Sequence, residues 1–185
     1  DECYVDVGRL ESTFFIYVAA FVAFTDISYS TPQNLKNALG HAAYVLEAGK
    51  SMFNMKSYKL DISFGDETVS GDFIYGQITN SLSIGGFKNI GSKDMSFSDG
   101  EFETVLIKTP EKPSELQRII NSLLMDDLSD EMIVSRKSSR VVIKCHEEVP
   151  WTVDGEYGGS FKTTRVTNIH KGVSILLKDK TNVIA

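Results

Sequence analysis

The sequence predicts a mainly β domain of the α+β class: an antiparallel β-sandwich with two attached α-helices. Three observations point there. From Tyr58 the apolar residues alternate, with Tyr58, Leu60, Ile62 and Phe64 set against Lys59, Asp61 and Ser63, the period of a half-buried strand. Short β-branched and aromatic runs between turn residues fill the last third of the chain, with no helical pattern among them. Two segments carry a helical period, whereas a doubly wound parallel sheet needs helices alternating with strands throughout.

The elements follow in order. Residues 4–7 alternate weakly, as an edge strand does, and residues 9–13 read as a polar turn. Residues 14–24 are eleven apolar or aromatic residues in a row, rich in Phe and Val, which favours one or two strands with a bend. Thr31-Pro32 opens a helix through an N-cap hydroxyl and a proline at the first helical position; Leu35, Leu39, Ala42 and Leu46 share a face, and Gly49 ends it. After the strand at 58–64, Gly65-Asp66-Glu67 reads as a hairpin turn and 69–80 as the returning strand, with Gly71 and Gly76 as bulge positions. Residues 83–92 form a glycine-rich loop, and 102–108 another strand.

A second helix starts at Pro113, with Ser114 and Gln117 at capping-box spacing and Leu116, Ile119, Ile120, Leu123 and Leu124 as its apolar stripe, and it runs out at Asp126-Asp127. Strands then follow at 132–134, 140–145, 151–153, 164–169 and 173–177. No repeat, low-complexity tract or linker interrupts residues 1–185, which therefore read as a single domain.

Composition narrows the function. A chain of 185 residues that is 42% hydrophobic buries a real core without disulfides or metal. A net charge of -6 argues against nucleic acid as a partner. Cys3 and Cys145 have no metal-ligand spacing, and Cys145, in an apolar run, reads as a buried free thiol in a reducing compartment. The apolar run at 14–24 is short of the roughly 20 residues of a spanning helix, and no signal peptide is expected. Arg136, Lys137 and Arg140 read as solvated turn residues.

Two acidic clusters remain. Asp154 and Glu156 straddle Gly155, which permits a sharp turn at a sheet rim. Asp94, Asp99, Glu101 and Glu103 crowd a second segment around Asp99-Gly100, and strict alternation would put Asp99, Glu101 and Glu103 on one face. A hard cation such as Mg²⁺ is the ordinary means of holding such carboxylates together. The other reading is a solvated acidic hairpin, since an Asp-Gly pair is first of all a turn signal. The glycine-rich loop has neither the dinucleotide nor the Walker spacing.

In order and separation, Asn80-Ser81-Leu82-Ser83-Ile84-Gly85-Gly86, Asp99-Gly100 and Val153-Asp154-Gly155-Glu156 resemble the diacylglycerol kinase catalytic family, and more narrowly its soluble bacterial lipid kinases. Tyr17-Val18-Ala19-Ala20-Phe21 and the helix from Leu35 to Tyr44 are similar to it as well. The resemblance implies a second, sandwich domain of a two-domain enzyme. The first domain would be an α/β nucleotide-binding domain with a Gly-Gly-Asp-Gly-Thr motif, which these residues do not contain.

Residue by residue, the resemblance implies that Asp99 supports a Mg²⁺ site with backbone carbonyls near Ser96 and Glu101. It makes Asp154 and Glu156 the acidic pair at the cleft, with Glu156 the proton acceptor. Lys93, where the family usually has proline, departs from the pattern. ATP as co-substrate, a diacylglycerol-type lipid, the nucleotide-binding domain in cis and a cytoplasmic place at the inner membrane face are what it implies of partners and location. A homodimer is compatible with it. By the same resemblance residues 14–24 and the helix that follows them are candidates for an acyl-chain pocket, against the ordinary alternative of core. The isolated domain is expected not to turn over. Two other readings compete: a kinase of sphingoid lipids or NAD, and a non-catalytic sandwich that binds a cation or ligand.

Overall fold

A computed structural model describes residues 2–22, 56–80, 83–84, 87–88, 97–125 and 127–176. The strands are β1 (Glu2–Leu10), β2 (Thr13–Phe15), β3 (Val18–Val22), β4 (Tyr58–Phe64), β5 (Glu67–Thr79), β6 (Ser83–Ile84), β7 (Phe87–Lys88), β8 (Phe102–Lys108), β9 (Ile133–Ser138), β10 (Arg140–Val153) and β11 (Glu156–Leu176). One helix, α1 (Pro113–Met125), stands among the described residues. The helix expected over 31–49 lies outside them.

Nine strands join in one sheet, ordered β2-β1-β11-β10-β3-β5-β8-β9, with β4 pairing both β10 and β5. This corrects the expected sandwich: the described strands do not divide into two stacked sheets, because the sheet closes on itself into a small barrel. Long strands cause the closure. β5 pairs with β4 through residues 67–73 and with β3 through 75–79, while β10 pairs with β4 through 142–145 and with β3 through 152–153. Each long strand shifts register midway, β5 between Phe73 and Tyr75 and β10 between Lys144 and Val149. Such irregularities bend a strand and raise its twist, which lets a sheet curl. Pairing is antiparallel throughout.

The closed section is packed with large side chains. Trp151, Tyr58, Phe15, Phe21, Phe73 and Phe102 are fully buried, and Phe21 meets Trp151 and Tyr58 edge-on at 5.2 and 6.0 Å between ring centres. The apolar run from residue 14 divides without strict alternation. Phe15 and the consecutive Ala19, Ala20 and Phe21 go to the core, since β3 lies between β10 and β5, while Phe14, Ile16 and Tyr17 stay exposed.

Several local expectations change. The polar turn shrinks to Glu11-Ser12, since β1 runs on to Leu10. Gly71 and Gly76 sit in regular register; Gly76 is small because a Cβ there would stand 2.2 Å from Phe21 and 2.7 Å from Leu106. Part of the glycine-rich stretch pairs, Ser83-Ile84 with Phe87-Lys88. In α1 the capping acid is Glu115, not a Ser114–Gln117 box: its carboxylate accepts the Glu111 and Lys112 N–H groups at 2.8 and 3.2 Å. Leu116, Ile119 and Ile120 are buried, and Leu123 packs on Val105 and Ile133, which lays α1 over β8 and β9. Cys145 is half-buried and, like Cys3, a free thiol.

Candidate active site

The β10–β11 hairpin turns through Asp154 and Gly155, both left-handed at φ 49° and 89°. Two successive residues of that kind make the tight turn that matches strand twist. The Asp154 carboxylate is exposed but not free. Its Oδ2 accepts the Ile16 N–H at 2.9 Å, and its Oδ1 those of Tyr17 and Val18 at 3.0 and 2.8 Å. The Asp154 N–H donates in return to the Val18 carbonyl at 2.8 Å. Residues 16–17 are the bend between β2 and β3, where amides have no ladder partner, so one carboxylate satisfies three consecutive donors. Glu156, two residues on, opens β11 opposite Val153 and is exposed.

Beside this hairpin lies an apolar groove of about 440 Å³, lined by Val7, Phe14, Phe15, Ile16, Ile169 and Val173, with Asp154 at its edge. Its volume falls in the range of small-molecule sites.

The second acidic cluster takes a different form. β8 begins at Phe102, so Asp99 and Glu101 precede the strand and strict alternation does not relate them to Glu103. Asp99 Oδ1 accepts the Glu101 N–H at 3.1 Å, and its Oδ2 pairs with Lys137 Nζ at 2.6 Å. Lys137 also lies 3.6 Å from Glu103 Oε1, whose side chain is 7% exposed. Burial pushes the Glu103 carboxyl above its usual range, with Lys137 opposing, and hydrogen bonding to Asp99 raises the Lys137 ammonium. Lys137 and Arg136 are thus strand residues with acidic partners, not solvated turn residues; Arg136 forks onto Glu67 at 2.7–3.0 Å. Glu101 is exposed, and Ser96 lies outside the described residues.

As a metal position this corner fits in part. Asp99 supplies one carboxylate, already engaged by an ammonium and an amide. Among the described residues, no three His, Cys, Asp or Glu side chains come together as a metal-ligand set.

Both clusters lie at one end of the sheet. Asp154 bonds to Val18, Val18 pairs with Thr79, Thr79 with Glu103, and Glu103 with Lys137. That row crosses four ladder steps, about 19 Å at the usual strand spacing, so the carboxylates share a rim without touching. Asn80 splices the two halves. Its N–H donates to the Tyr17 carbonyl at 3.3 Å, and its side-chain amide to the carbonyls of Asp6 and Phe97 at 3.3 and 3.2 Å.

Asp6 was not legible as a site residue. It is fully buried and accepts the Gly100 N–H at 2.7 Å and the Lys171 N–H at 2.6 Å, with Asn168 Nδ2 at 3.3 Å and His170 Nδ1 at 3.1 Å. An aspartate between Val5 and Val7 in a weakly alternating strand reads as a solvent-side residue, and its partners lie far along the chain. Its signal was the polar residue inside an apolar run.

No family model matches the chain. Curated relatives do. A diacylglycerol kinase of Bacillus subtilis is 25% identical over 173 residues, which is 94% of this chain and 56% of that protein. One of Staphylococcus saprophyticus is 31% identical over 159 residues, 84% of this chain and 50% of that protein. Two solved structures from Bacillus anthracis, the second described as a diacylglycerol kinase, superpose with TM-scores of 0.74 and 0.70. Both are 16% identical and cover 94% of this chain, with 57% and 56% of theirs, and they show a shared fold. The chain is thus homologous, over most of its length, to a class of bacterial kinases. Those relatives carry the name diacylglycerol kinase, the family that the sequence resembles. The chain spans about half the length of the curated relatives it matches. Among the described residues no helix is long and apolar enough to cross a membrane.

Proposed function

We propose that the chain is the acceptor-side domain of an ATP-dependent lipid kinase that converts diacylglycerol to phosphatidic acid. A nucleotide-binding domain in the same longer polypeptide supplies ATP, and the enzyme works at the cytoplasmic face of the membrane. The observation that carries the reading is the exposed Glu156 carboxylate, held on a clamped hairpin in a chain homologous to proteins named diacylglycerol kinase.

In the proposed reaction the lipid hydroxyl oxygen bonds to the γ-phosphorus of ATP as the bond to the β,γ-bridging oxygen breaks. ADP leaves with that electron pair, and Glu156 takes the hydroxyl proton. Phosphoryl transfer of this kind asks for alignment and charge neutralisation more than covalent work from the protein. Acyl chains lie along the groove between Phe14, Ile16, Ile169 and Val173, which places the hydroxyl beside the hairpin. Mg²⁺ accompanies ATP and neutralises the charge that spreads over the phosphates. A second Mg²⁺, at Asp99 with carbonyls near Ser96 and Glu101, would have to displace Lys137 from the carboxylate, and no step depends on it.

The test is turnover. The full-length polypeptide with ATP, Mg²⁺ and vesicles containing diacylglycerol should form phosphatidic acid, while residues 1–185 alone should not. Replacing Glu156 by Gln in the full-length protein should lower kcat by about 10²–10⁴-fold, the usual contribution of a positioned base. A wild-type rate for that variant removes Glu156 from the chemistry. Efficient turnover of a sphingoid base, with none of diacylglycerol, reassigns the acceptor.

A further inference from the structure

We propose that Asp154 is a positioning residue rather than a reacting one: its carboxylate ties the hairpin that carries Glu156 to the wall of the apolar groove. Asp154 and Glu156 look like a catalytic carboxylate pair, and they differ in partners and in task. Both are exposed, but the Asp154 oxygens are taken up by the N–H groups of Ile16, Tyr17 and Val18 at 2.8–3.0 Å, while Glu156 stands at the start of β11.

Three consecutive amides converging on one anion form a small anion-binding concavity, here filled from within the chain. A carboxylate offers about four lone-pair directions, and three are in use. A proton or metal ion arriving at the remaining Oδ2 direction would withdraw the negative charge that the three N–H groups share and weaken the bonds that hold them. The fourth link, Asp154 N–H to the Val18 carbonyl at 2.8 Å, closes the clamp in the opposite sense. Side chain and main chain of one residue thus hold the 16–18 segment from both sides.

The clamp joins two things that the proposed reaction needs at fixed separation. On one side, Asp154 and Gly155 turn the chain through left-handed conformations and deliver Glu156 to the rim. On the other, Ile16 donates its N–H to Oδ2 and, with Phe14 and Phe15, forms one wall of the groove. The tie therefore sets the distance between a groove-bound acceptor and the proton-accepting carboxylate. Its geometric part stands on the distances alone; its catalytic consequence rests on the kinase reading.

Amide exchange and kinetics separate the two. In the full-length protein, Asp154→Ala should speed exchange at Ile16, Tyr17 and Val18 by about tenfold or more, as local opening does, and leave β5 and β8 unchanged. It should lower kcat by about 10²-fold, the cost of misplacing reacting groups by an ångström, and raise KM for diacylglycerol but not for ATP. The acid limb of the pH–rate profile should persist. Asp154→Asn keeps one accepting oxygen and should recover part of both losses. It also serves where the alanine variant fails to fold. Glu156→Gln should leave exchange at 16–18 untouched and abolish the acid limb. Unchanged exchange in both Asp154 variants overturns the clamp, and loss of the acid limb on Asp154→Asn makes Asp154 a reacting group after all. If the wild-type polypeptide makes no phosphatidic acid, the kinase reading falls, and exchange at 16–18 still decides the clamp.

Discussion

Lys137 Nζ sits 2.6 Å from Asp99 Oδ2 and 3.6 Å from Glu103 Oε1, so one ammonium on β9 serves a loop carboxylate and a buried strand carboxylate together. The two acids are not equivalent. Asp99 is 25% exposed, while Glu103 Oε1 is buried and has no hydrogen-bond partner among the described residues. Burial favours the neutral form of Glu103 and raises its titration above the ordinary 4.5. A carboxyl whose folded pKa is raised contributes its stability below its unfolded pKa and loses it as pH rises through the folded value. Glu103→Gln, which does not ionise, should therefore gain stability relative to wild type as pH increases from 4.5 upward. Urea unfolding at a series of pH values reads this directly. A stability difference that stays flat with pH would place Glu103 in an environment no different from water.

The same cluster predicts the effect of the lysine. Lys137→Met leaves Asp99 and Glu103 without their shared counter-charge. Loss of one member of a well-buried pair costs several kcal/mol, but Lys137 keeps 31% of its side chain in solvent, and screening brings the expected loss to about 1 kcal/mol. Glu103→Gln in the Lys137→Met background should be less harmful than in wild type, or favourable. A double-mutant cycle measures that coupling, and simple additivity would mean the ammonium and Glu103 do not interact.

Gly76 tests the closed section of the sheet. β3 and β8 flank β5 there, and the space where a Cβ would go is taken by Phe21 and Leu106. Gly76→Ala forces one of those buried side chains off its rotamer, at about 1–3 kcal/mol, the usual range for overpacking a core. Gly65→Ala is the informative control, because nothing stands within 4 Å of its added Cβ and the cost there is backbone strain at φ +77°. Thermal unfolding should show Phe21→Leu partly rescuing Gly76→Ala and leaving Gly65→Ala unaided.

Local physics was legible in the sequence where a pattern and its cause lie within a few residues. The alternation from Tyr58 to Phe64, the helix opened by Pro113 and the Asp154-Gly155 turn each carry their own instructions, and each is present. Long pairings were not legible. Residues 140–145 and 151–153 read as two strands because the irregular register between Lys144 and Val149 breaks the alternation inside one continuous β10. β11 likewise read as two strands around Lys171, a left-handed residue whose N–H turns inward to Asp6. Closure of the sheet depends on β4 meeting β10 some eighty residues later, which no periodicity reports. At the rim, residue types singled out Asp154, Glu156 and Asp99. Composition could not show that Asp154 faces backbone amides and Asp99 a lysine, because those partners come from the bend at 16–17, from β3 and from β9.

Asp6 gives the strongest stability prediction. It collects donors from two separate stretches: Gly100 before β8, and Asn168, His170 and Lys171 along β11. The Asp6 N–H in turn donates to the Phe97 carbonyl at 2.7 Å, which pins residues 97–100 against β1. Asp6→Ala removes the shared acceptor and leaves the Gly100 and Lys171 amides unpaired at a part-buried site, at up to about 1–3 kcal/mol for each unsatisfied group. The expected total, about 3 kcal/mol, is a large share of the stability of a domain this size. Asp6→Asn keeps an acceptor for one amide and should lose roughly half as much. The loss should appear as a lower urea midpoint at unchanged m, with faster exchange at Gly100 and Lys171 and normal protection along β4. A midpoint for Asp6→Ala equal to wild type would mean that water replaces the carboxylate at no cost, and that the joint between the Asp99 loop and β11 is held by something other than Asp6.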